Sequence, residues 1–138
     1  MPTARRRQTT TAKPVWKQGA RVKFHYTEPD NVEAILAEQL FRVPAESNRG
    51  SGLYVTTVAP GAMTDDKLRD LLFARGRPVA FIEGVMVLRD DAFVWERESH
   101  RKYLHRTGPG ATLDLSLALI GIGIRRRGSW LWSEGVFA

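Results

Sequence analysis

Residues 49–61 read R-G-S-G-L-Y-V-T-T-V-A-P-G, and the fold expected for the chain is built outward from them. The β-branched and aromatic residues at 53–58 predict a strand, which Pro60 and Gly61 close. Two glycines stand just before Tyr54, where the missing side chains let a ligand approach the backbone closely. The segment therefore combines a strand with a candidate binding loop.

Upstream, residues 22–27 (V-K-F-H-Y-T) alternate in the pattern of a short strand. Asp30 and Glu33 have the spacing of a helix capping box, with Asp30 as the N-cap. The apolar residues that follow recur at helical intervals: Val32, Ile35, Leu36 and Leu40. We expect this helix to end near Arg42, before Pro44.

Downstream, Thr64 has the position of an N-cap for a second short helix. The apolar runs at 79–88, 92–95 and 113–124 predict strands, and the polar stretch 96–110 predicts a loop. The order strand, helix, strand, helix and then strands predicts one α+β domain.

The charge is concentrated at one end of the chain. Of the 21 lysines and arginines, seven lie in residues 1–23 with no acid among them, whereas the rest of the chain holds 14 cations against 15 acids. We expect residues 1–22 to be a disordered basic tail or linker and residues 23–138 to be the folded domain. The domain itself shows no basic bias for nucleic-acid binding.

The composition argues against several other classes of protein. The chain has no cysteine and only three scattered histidines, so we expect no metal site. No stretch reaches the eighteen or so apolar residues that a spanning helix needs, and the basic start lacks the apolar part of a secretory signal. We therefore expect no membrane association and a chain that is cytoplasmic as synthesised.

Four residues in the predicted strands could carry chemistry. His25 and Tyr54, each taken alone, are more typical of hydrogen-bonded or half-buried structural residues. Glu83 and Asp114 are carboxylates within apolar strands, where a lone charge is costly. Each acid is therefore either paired with an arginine or part of a functional site.

Four stretches in this order resemble one family: H-Y-T (25–27), N-V-E-A-I-L (31–36), residues 49–61 and T-L-D-L-S (112–116). They are similar to the His-Tyr-Asp class of ADP-ribosyltransferase domains, which is common at the C-termini of bacterial polymorphic toxins. The resemblance covers roughly residues 23–124. It implies a split β-sheet core with two short helices, and an enzyme that breaks the nicotinamide–ribose bond of NAD⁺ without a metal.

The resemblance also implies a role for each site residue. His25 would bond a ribose hydroxyl of NAD⁺, the backbone at Tyr26 would meet the nicotinamide carboxamide, and Tyr54 would stack on the nicotinamide ring. Thr27 and Gly52 would complete the NAD⁺-binding set. A third catalytic residue, an acid, would bond the 2′-hydroxyl of the nicotinamide ribose.

Three positions compete for the role of that acid. Asp114 stands at the head of the last predicted strand, where this family usually places it. Glu83, within the third predicted strand, is one alternative, and the pair Asp90 and Asp91 at the exit of that strand is the other. Thr112, two residues before Asp114, replaces the second acid of the arginine-modifying toxins, which leaves Thr, Ser, Asn, Gln, nucleic acid or a small molecule as acceptor.

The leading prediction is thus a mono-ADP-ribosyltransferase toxin or effector that modifies a protein or nucleic-acid acceptor. It would be delivered into a target cell within a larger toxin, with an immunity protein as partner in the producing cell. One alternative is an NAD⁺ glycohydrolase on the same scaffold. Another is a non-catalytic nucleic-acid-binding module that uses the basic tail and pairs its acids with the arginines at 125–127.

Overall fold

The computed structural model describes residues 8–10, 21–44, 51–73 and 76–134, and these form an α+β domain. Its helices are α1 (Pro29–Glu38) and α2 (Asp65–Leu72). Its strands are β1 (Gln8–Thr10), β2 (Val22–Thr27), β3 (Leu40–Arg42), β4 (Gly52–Thr56), β5 (Gly84–Arg89), β6 (Glu96–Ser99), β7 (Lys102–Arg106), β8 (Thr112–Asp114), β9 (Leu119–Arg126) and β10 (Ser129–Glu134).

The strands pair antiparallel throughout the described residues. Eight of them form one sheet in the order β1-β10-β9-β5-β2-β4-β7-β6, and β3 pairs with β8 in a separate two-stranded ribbon. Five consecutive residues of β5 are buried, because this strand lies near the middle of the sheet between β2 and β9.

The sheet is open between β2 and β4. β2 pairs with β5 along its whole length, from Val22 opposite Arg89 to Thr27 opposite Gly84. Between β2 and β4, in contrast, the described part of the chain has a single pair, Phe24 opposite Thr56. Within the part of the chain that the structure describes, the last residues of β2 therefore form no backbone ladder with β4, and this opening positions the candidate site.

A separate hydrophobic core lies on each face of the sheet. On one face, α1 and the β3–β8 ribbon pack against the sheet. The buried residues of this core include Val32, Ile35, Leu53, Met86, Leu88 and Ile122. On the other face, α2 packs against the sheet, and the buried residues of this second core include Phe24, Tyr26, Val58, Leu68, Val85 and Trp132. Because side chains alternate along a strand, β5 contributes to both cores, with Met86 and Leu88 on the α1 face and Val85 and Val87 on the α2 face.

Helix α1 starts and ends differently from the sequence prediction. Glu28 is its N-cap residue, with no side-chain cap bond, and Pro29 begins the helix, so Asp30 lies inside the first turn. There the carboxylate faces the positive end of the helix dipole and does not cap it. The helix ends at Glu38 because Gln39 takes a left-handed conformation with φ 56°. The predicted end near Arg42 is therefore wrong, and the residues after Gln39 pair with β8.

The second helix begins as predicted, since the Thr64 hydroxyl accepts a hydrogen bond from the Lys67 N–H at 3.4 Å. The predicted strand at 79–88 is a 3₁₀ turn, Val79–Ile82, followed by β5. No strand forms at 92–95, and the predicted loop at 96–110 contains the β6–β7 hairpin.

The predicted strand at 113–124 is divided into β8 and β9. A carboxylate oxygen of Asp114 accepts a hydrogen bond from the Ser116 N–H at 2.9 Å, and the Leu119 N–H donates to the Leu115 carbonyl at 2.8 Å. These local bonds turn the chain. The apolar run is therefore shared between the ribbon and the large sheet.

The predicted tail and the predicted loop at 44–52 fall partly outside the described residues. Within the tail, Gln8–Thr10 pairs with β10 at one end of the sheet, and Val22 already belongs to β2. Residues 1–7, 11–20 and 45–50 lie outside the described part of the chain. No helix within the described part is both long and apolar enough to cross a membrane.

Candidate functional site

His25 lies on β2 beside the opening in the sheet. Its Nδ1 is 2.7 Å from the backbone oxygen of Tyr54 on β4. Because a carbonyl oxygen only accepts hydrogen bonds, Nδ1 must carry the proton and donate it. In the neutral ring, Nε2 is then an acceptor with a free lone pair.

The surroundings of His25 favour this neutral form. Burial lowers the pKa of His25 and outweighs the opposing effect of the Tyr54 carbonyl. The ring of Phe41 meets the imidazole edge-on, with centroids 5.1 Å apart. Within the described residues, no group bonds Nε2. At neutral pH the side chain therefore presents a hydrogen-bond acceptor to a ligand.

His25 borders two neighbouring cavities. The larger, of about 410 Å³, lies between β2, α1 and β3 and is also lined by Thr27, Glu38 and Arg42. The smaller, of about 60 Å³, lies towards β4 and is also lined by Tyr54. His25, Tyr26 and Phe73 line both cavities, which therefore meet at the opening between β2 and β4.

Tyr54 reaches the site from the other face of the sheet. Phe24 pairs with Thr56, so the residue two positions before Thr56 shares the face of Phe24 and α2. The imidazole of His25 lies on the α1 face, where its cross-strand neighbour Met86 is buried. Tyr54 thus contacts His25 through its carbonyl, while its half-buried ring lies 5.9 Å from Lys102 Nζ.

The ring of Tyr26 is part of the core. Its hydroxyl donates to the Val58 carbonyl at 2.9 Å, and burial raises its pKa. This arrangement leaves only the backbone of Tyr26 for contact with a ligand. Thr27 lines the larger cavity, and its hydroxyl accepts a bond from the Asn31 amide at 3.1 Å.

Gly52 is buried against β7 and lines neither of the two cavities at His25. It has φ 153°, and a Cβ there would collide with the carbonyl of His105 and lie 2.7 Å from Leu104 Cδ1. Glycine at this position therefore allows β4 and β7 to pair closely.

The four candidate acids lie outside the cavities that His25 borders. Asp114 is exposed at the end of β8, and hydrogen bonds from Ser116 lower its pKa. Together with Asp91 it lines a third cavity of about 890 Å³. Asp90 forms an ion pair with Lys23.

Glu83 belongs to an ion-pair group beside α2. Arg125 Nε lies 3.6 Å from a carboxylate oxygen of Glu83, and Arg125 Nη1 lies 2.7 Å from Asp65. Glu83 lies between the 3₁₀ turn and β5, so its predicted position within a strand is wrong. Of its two predicted roles, pairing with an arginine is the arrangement found. The same contact is a feature of the non-catalytic alternative, which pairs acids with the arginines at 125–127.

Sequence reasoning missed the charged pair on the wall of the larger cavity. Glu38 and Arg42 have i, i+4 spacing, which was a usable signal, but both were assigned to one helix. In the structure Arg42 belongs to β3, which turns it towards the larger cavity, the His25 cleft. Across the described ranges, no three His, Cys, Asp or Glu side chains converge where they could hold a metal ion.

Comparisons with known proteins found no relative. No family model, no curated protein and no solved structure matches this chain.

Proposed function

We propose that this chain is an ADP-ribosyltransferase that breaks the nicotinamide–ribose bond of NAD⁺ and passes the ADP-ribose to a macromolecular acceptor. The observation that carries the proposal is the hydrogen bond from His25 Nδ1 to the Tyr54 carbonyl. It joins two residues of the resembling motifs across the opening in the sheet. It also leaves Nε2 as a free acceptor on a ring that lines a cleft.

The resemblance implies the substrate contacts, and we place them on this geometry as follows. A ribose hydroxyl donates to Nε2 of His25, and the backbone of Tyr26 meets the nicotinamide carboxamide. The nicotinamide ring occupies the Tyr54 side of the opening, where the smaller cavity lies. That cavity is too narrow for the nicotinamide ring to stack on Tyr54 as it stands. The walls of the cavity, which include Leu72 and Phe73 at the end of α2, therefore have to move apart.

The reaction needs charge stabilisation more than proton transfer. Nicotinamide departs as a neutral molecule when the bond breaks, and positive charge develops on the ribose. A carboxylate aimed at the ribose stabilises a charge that exists only in the transition state. The ribose 2′-hydroxyl donates to this carboxylate. The bond from C1′ to the nicotinamide nitrogen breaks, the acceptor attacks C1′, and the proton of the acceptor is released to solvent.

Asp114 is the acid that we propose for this role. Its strand, β8, pairs with β3, and β3 supplies Phe41 and Arg42 to the wall of the cleft. Hydrogen bonds from Ser116 lower the pKa of Asp114 and so favour the charged form that this role requires. Glu83 and Asp90 are each held by a cation instead. The β3–β8 ribbon has to bring Asp114 towards the ribose, because Asp114 lines the third cavity and neither of the two at His25.

The test is the release of free nicotinamide from NAD⁺ by the purified chain. We expect release by the parent and a loss of about 100-fold in His25→Ala, since the substrate loses a positioning contact at the reacting centre. His105→Ala is the matched control, because His105 Nδ1 also contacts a backbone carbonyl, that of Val94 at 3.1 Å, but lies outside the cleft. A parent that releases no nicotinamide, with or without cell lysate, would overturn the proposal.

Two further measurements refine it. In the series Asp114→Asn, Asp91→Asn, Glu83→Gln and Asp90→Asn, the variant with the largest loss of nicotinamide release identifies the acid, and we expect Asp114→Asn. Labelled NAD⁺ added to lysate distinguishes a transferase from a glycohydrolase. Label on protease-sensitive or nuclease-sensitive material indicates transfer and gives the class of acceptor, whereas free ADP-ribose alone indicates hydrolysis.

A further inference from the structure

Two cations flank His25 at opposite ends of the opening. Lys102 lines the smaller cavity on the Tyr54 side, and Arg42 lines the larger cavity on the Phe41 side. The side chain of Lys102 is only 11% exposed and lies near both the Tyr54 ring and Glu98. The side chain of Arg42 is 61% exposed, so it is the more accessible of these two cations.

Arg42 is held by a bond that a ligand can replace. Its two terminal nitrogens donate to the two carboxylate oxygens of Glu38, at 2.8 and 3.2 Å. Both side chains are largely exposed, and such a pair contributes little to folding stability because water competes for each partner. The guanidinium fork that fits a carboxylate also fits two oxygens of a phosphate.

We propose that Arg42 binds the diphosphate of a dinucleotide in the His25 cleft and exchanges the Glu38 carboxylate for phosphate oxygens. This inference rests on the proposed function, which supplies NAD⁺ as the dinucleotide. With nicotinamide on the Tyr54 side and a ribose hydroxyl at His25, the diphosphate continues into the larger cavity. There it meets Arg42, whose positive charge complements the negative charges of the diphosphate.

Glu38 acts against the same ligand. In the free protein its carboxylate accepts the hydrogen bonds that the guanidinium of Arg42 would donate to a phosphate. Its negative charge also repels a diphosphate that approaches Arg42. Neutralising Glu38 removes both effects. Glu38→Gln should therefore bind the dinucleotide more tightly than the parent, whereas loss of Arg42 should weaken binding. Opposite effects from two adjacent substitutions are not expected from a general loss of structure.

The experiment measures the affinity of the full chain for ADP-ribose, which has the diphosphate but no nicotinamide, by titration calorimetry. We expect Arg42→Met to weaken ADP-ribose binding about tenfold, as for the loss of a hydrogen bond to a charged group, and Glu38→Gln to strengthen it about threefold. Added salt should weaken binding to the parent more than to Arg42→Met. Arg106→Met is the control, because Arg106 is similarly exposed and paired with a glutamate, Glu96. The charge of Arg106 reaches Tyr54, but Arg106 lines neither cavity at His25.

Each outcome is decisive. Unchanged ADP-ribose affinity in Arg42→Met, or an equal loss in Arg106→Met, would overturn the inference. So would a loss confined to Lys102→Met, which would place the diphosphate at the Tyr54 end. A parent that binds neither NAD⁺ nor ADP-ribose overturns this inference and the proposed function together. Arg42-dependent binding of ADP-ribose without nicotinamide release supports the diphosphate site and overturns the enzymatic proposal alone.

Discussion

Tyr26→Phe tests whether the ring of Tyr26 serves the fold while its backbone serves the ligand. The Tyr26 hydroxyl donates to the Val58 carbonyl at 2.9 Å, and both residues are buried. The substitution keeps the packed ring and removes only this bond, so the Val58 carbonyl loses a buried partner. We expect a loss of about 1–2 kcal/mol in the free energy of unfolding.

For a domain of this size, that loss corresponds to a fall of roughly 4–8 °C in Tm. Thermal unfolding followed by circular dichroism at pH 7 measures it. Tyr103→Phe is the control, since the half-buried Tyr103 has no hydroxyl hydrogen bond within the described residues, and its Tm should stay within about 2 °C of the parent. Nicotinamide release by folded Tyr26→Phe should match that of the parent.

Two results would refute this reasoning. A Tyr26→Phe variant with the Tm of the parent would show that the hydroxyl bond does not stabilise the fold. A variant that folds normally but no longer releases nicotinamide would show that the hydroxyl acts on the ligand and that the backbone contact is insufficient.

Three further changes have expected outcomes. Burial lowers the pKa of His25 in the folded chain, so the unfolded chain binds more protons than the folded chain below about pH 6.5. The free energy of unfolding should therefore fall as the pH drops through this range. Melting curves at several pH values check this, and His25→Gln with an unaltered slope would contradict it. Gln39→Met should raise Tm by about 4 °C, because the buried Nε2 of Gln39 has no hydrogen-bond partner among the described residues. An unchanged Tm would mean that this amide is not destabilising. Gly84→Ala should lower the free energy of unfolding by about 1–3 kcal/mol, because its Cβ would lie 2.7 Å from the carbonyl oxygen of Thr27. Urea unfolding measures this loss. Gly108→Ala, with open space around it, should change little, and equal losses in both would refute the steric argument.

Local patterns predicted the elements that local energetics determine. The alternation at 22–27 predicted β2, and the cap at Thr64 predicted the start of α2. The cap of α2 is local, since it joins Thr64 to Lys67, whereas β2 shows its alternation locally but pairs with β5 far along the chain. The α+β class followed from the order of such elements and is confirmed.

Apolar runs were less informative, because burial on both faces produces the same pattern in several kinds of structure. The run at 79–88 contains a 3₁₀ turn before β5, and the run at 113–124 is divided by the turn after Asp114. The hairpin at 96–106 was missed because β6 is exposed throughout its length and has no apolar face.

For the candidate site, the sequence by itself determined which chemical groups are available: the imidazole of His25, the ring and backbone of Tyr54, and a set of carboxylates. It could not determine which of them meet, since side chains from distant segments are brought together only by strand pairing. Tertiary structure decided that His25 bonds the Tyr54 backbone, that Glu83 is held by Arg125 and that Arg42 turns into the cleft. The physical reason is that the opening between β2 and β4 depends on the register of the whole sheet, which no local stretch of sequence encodes.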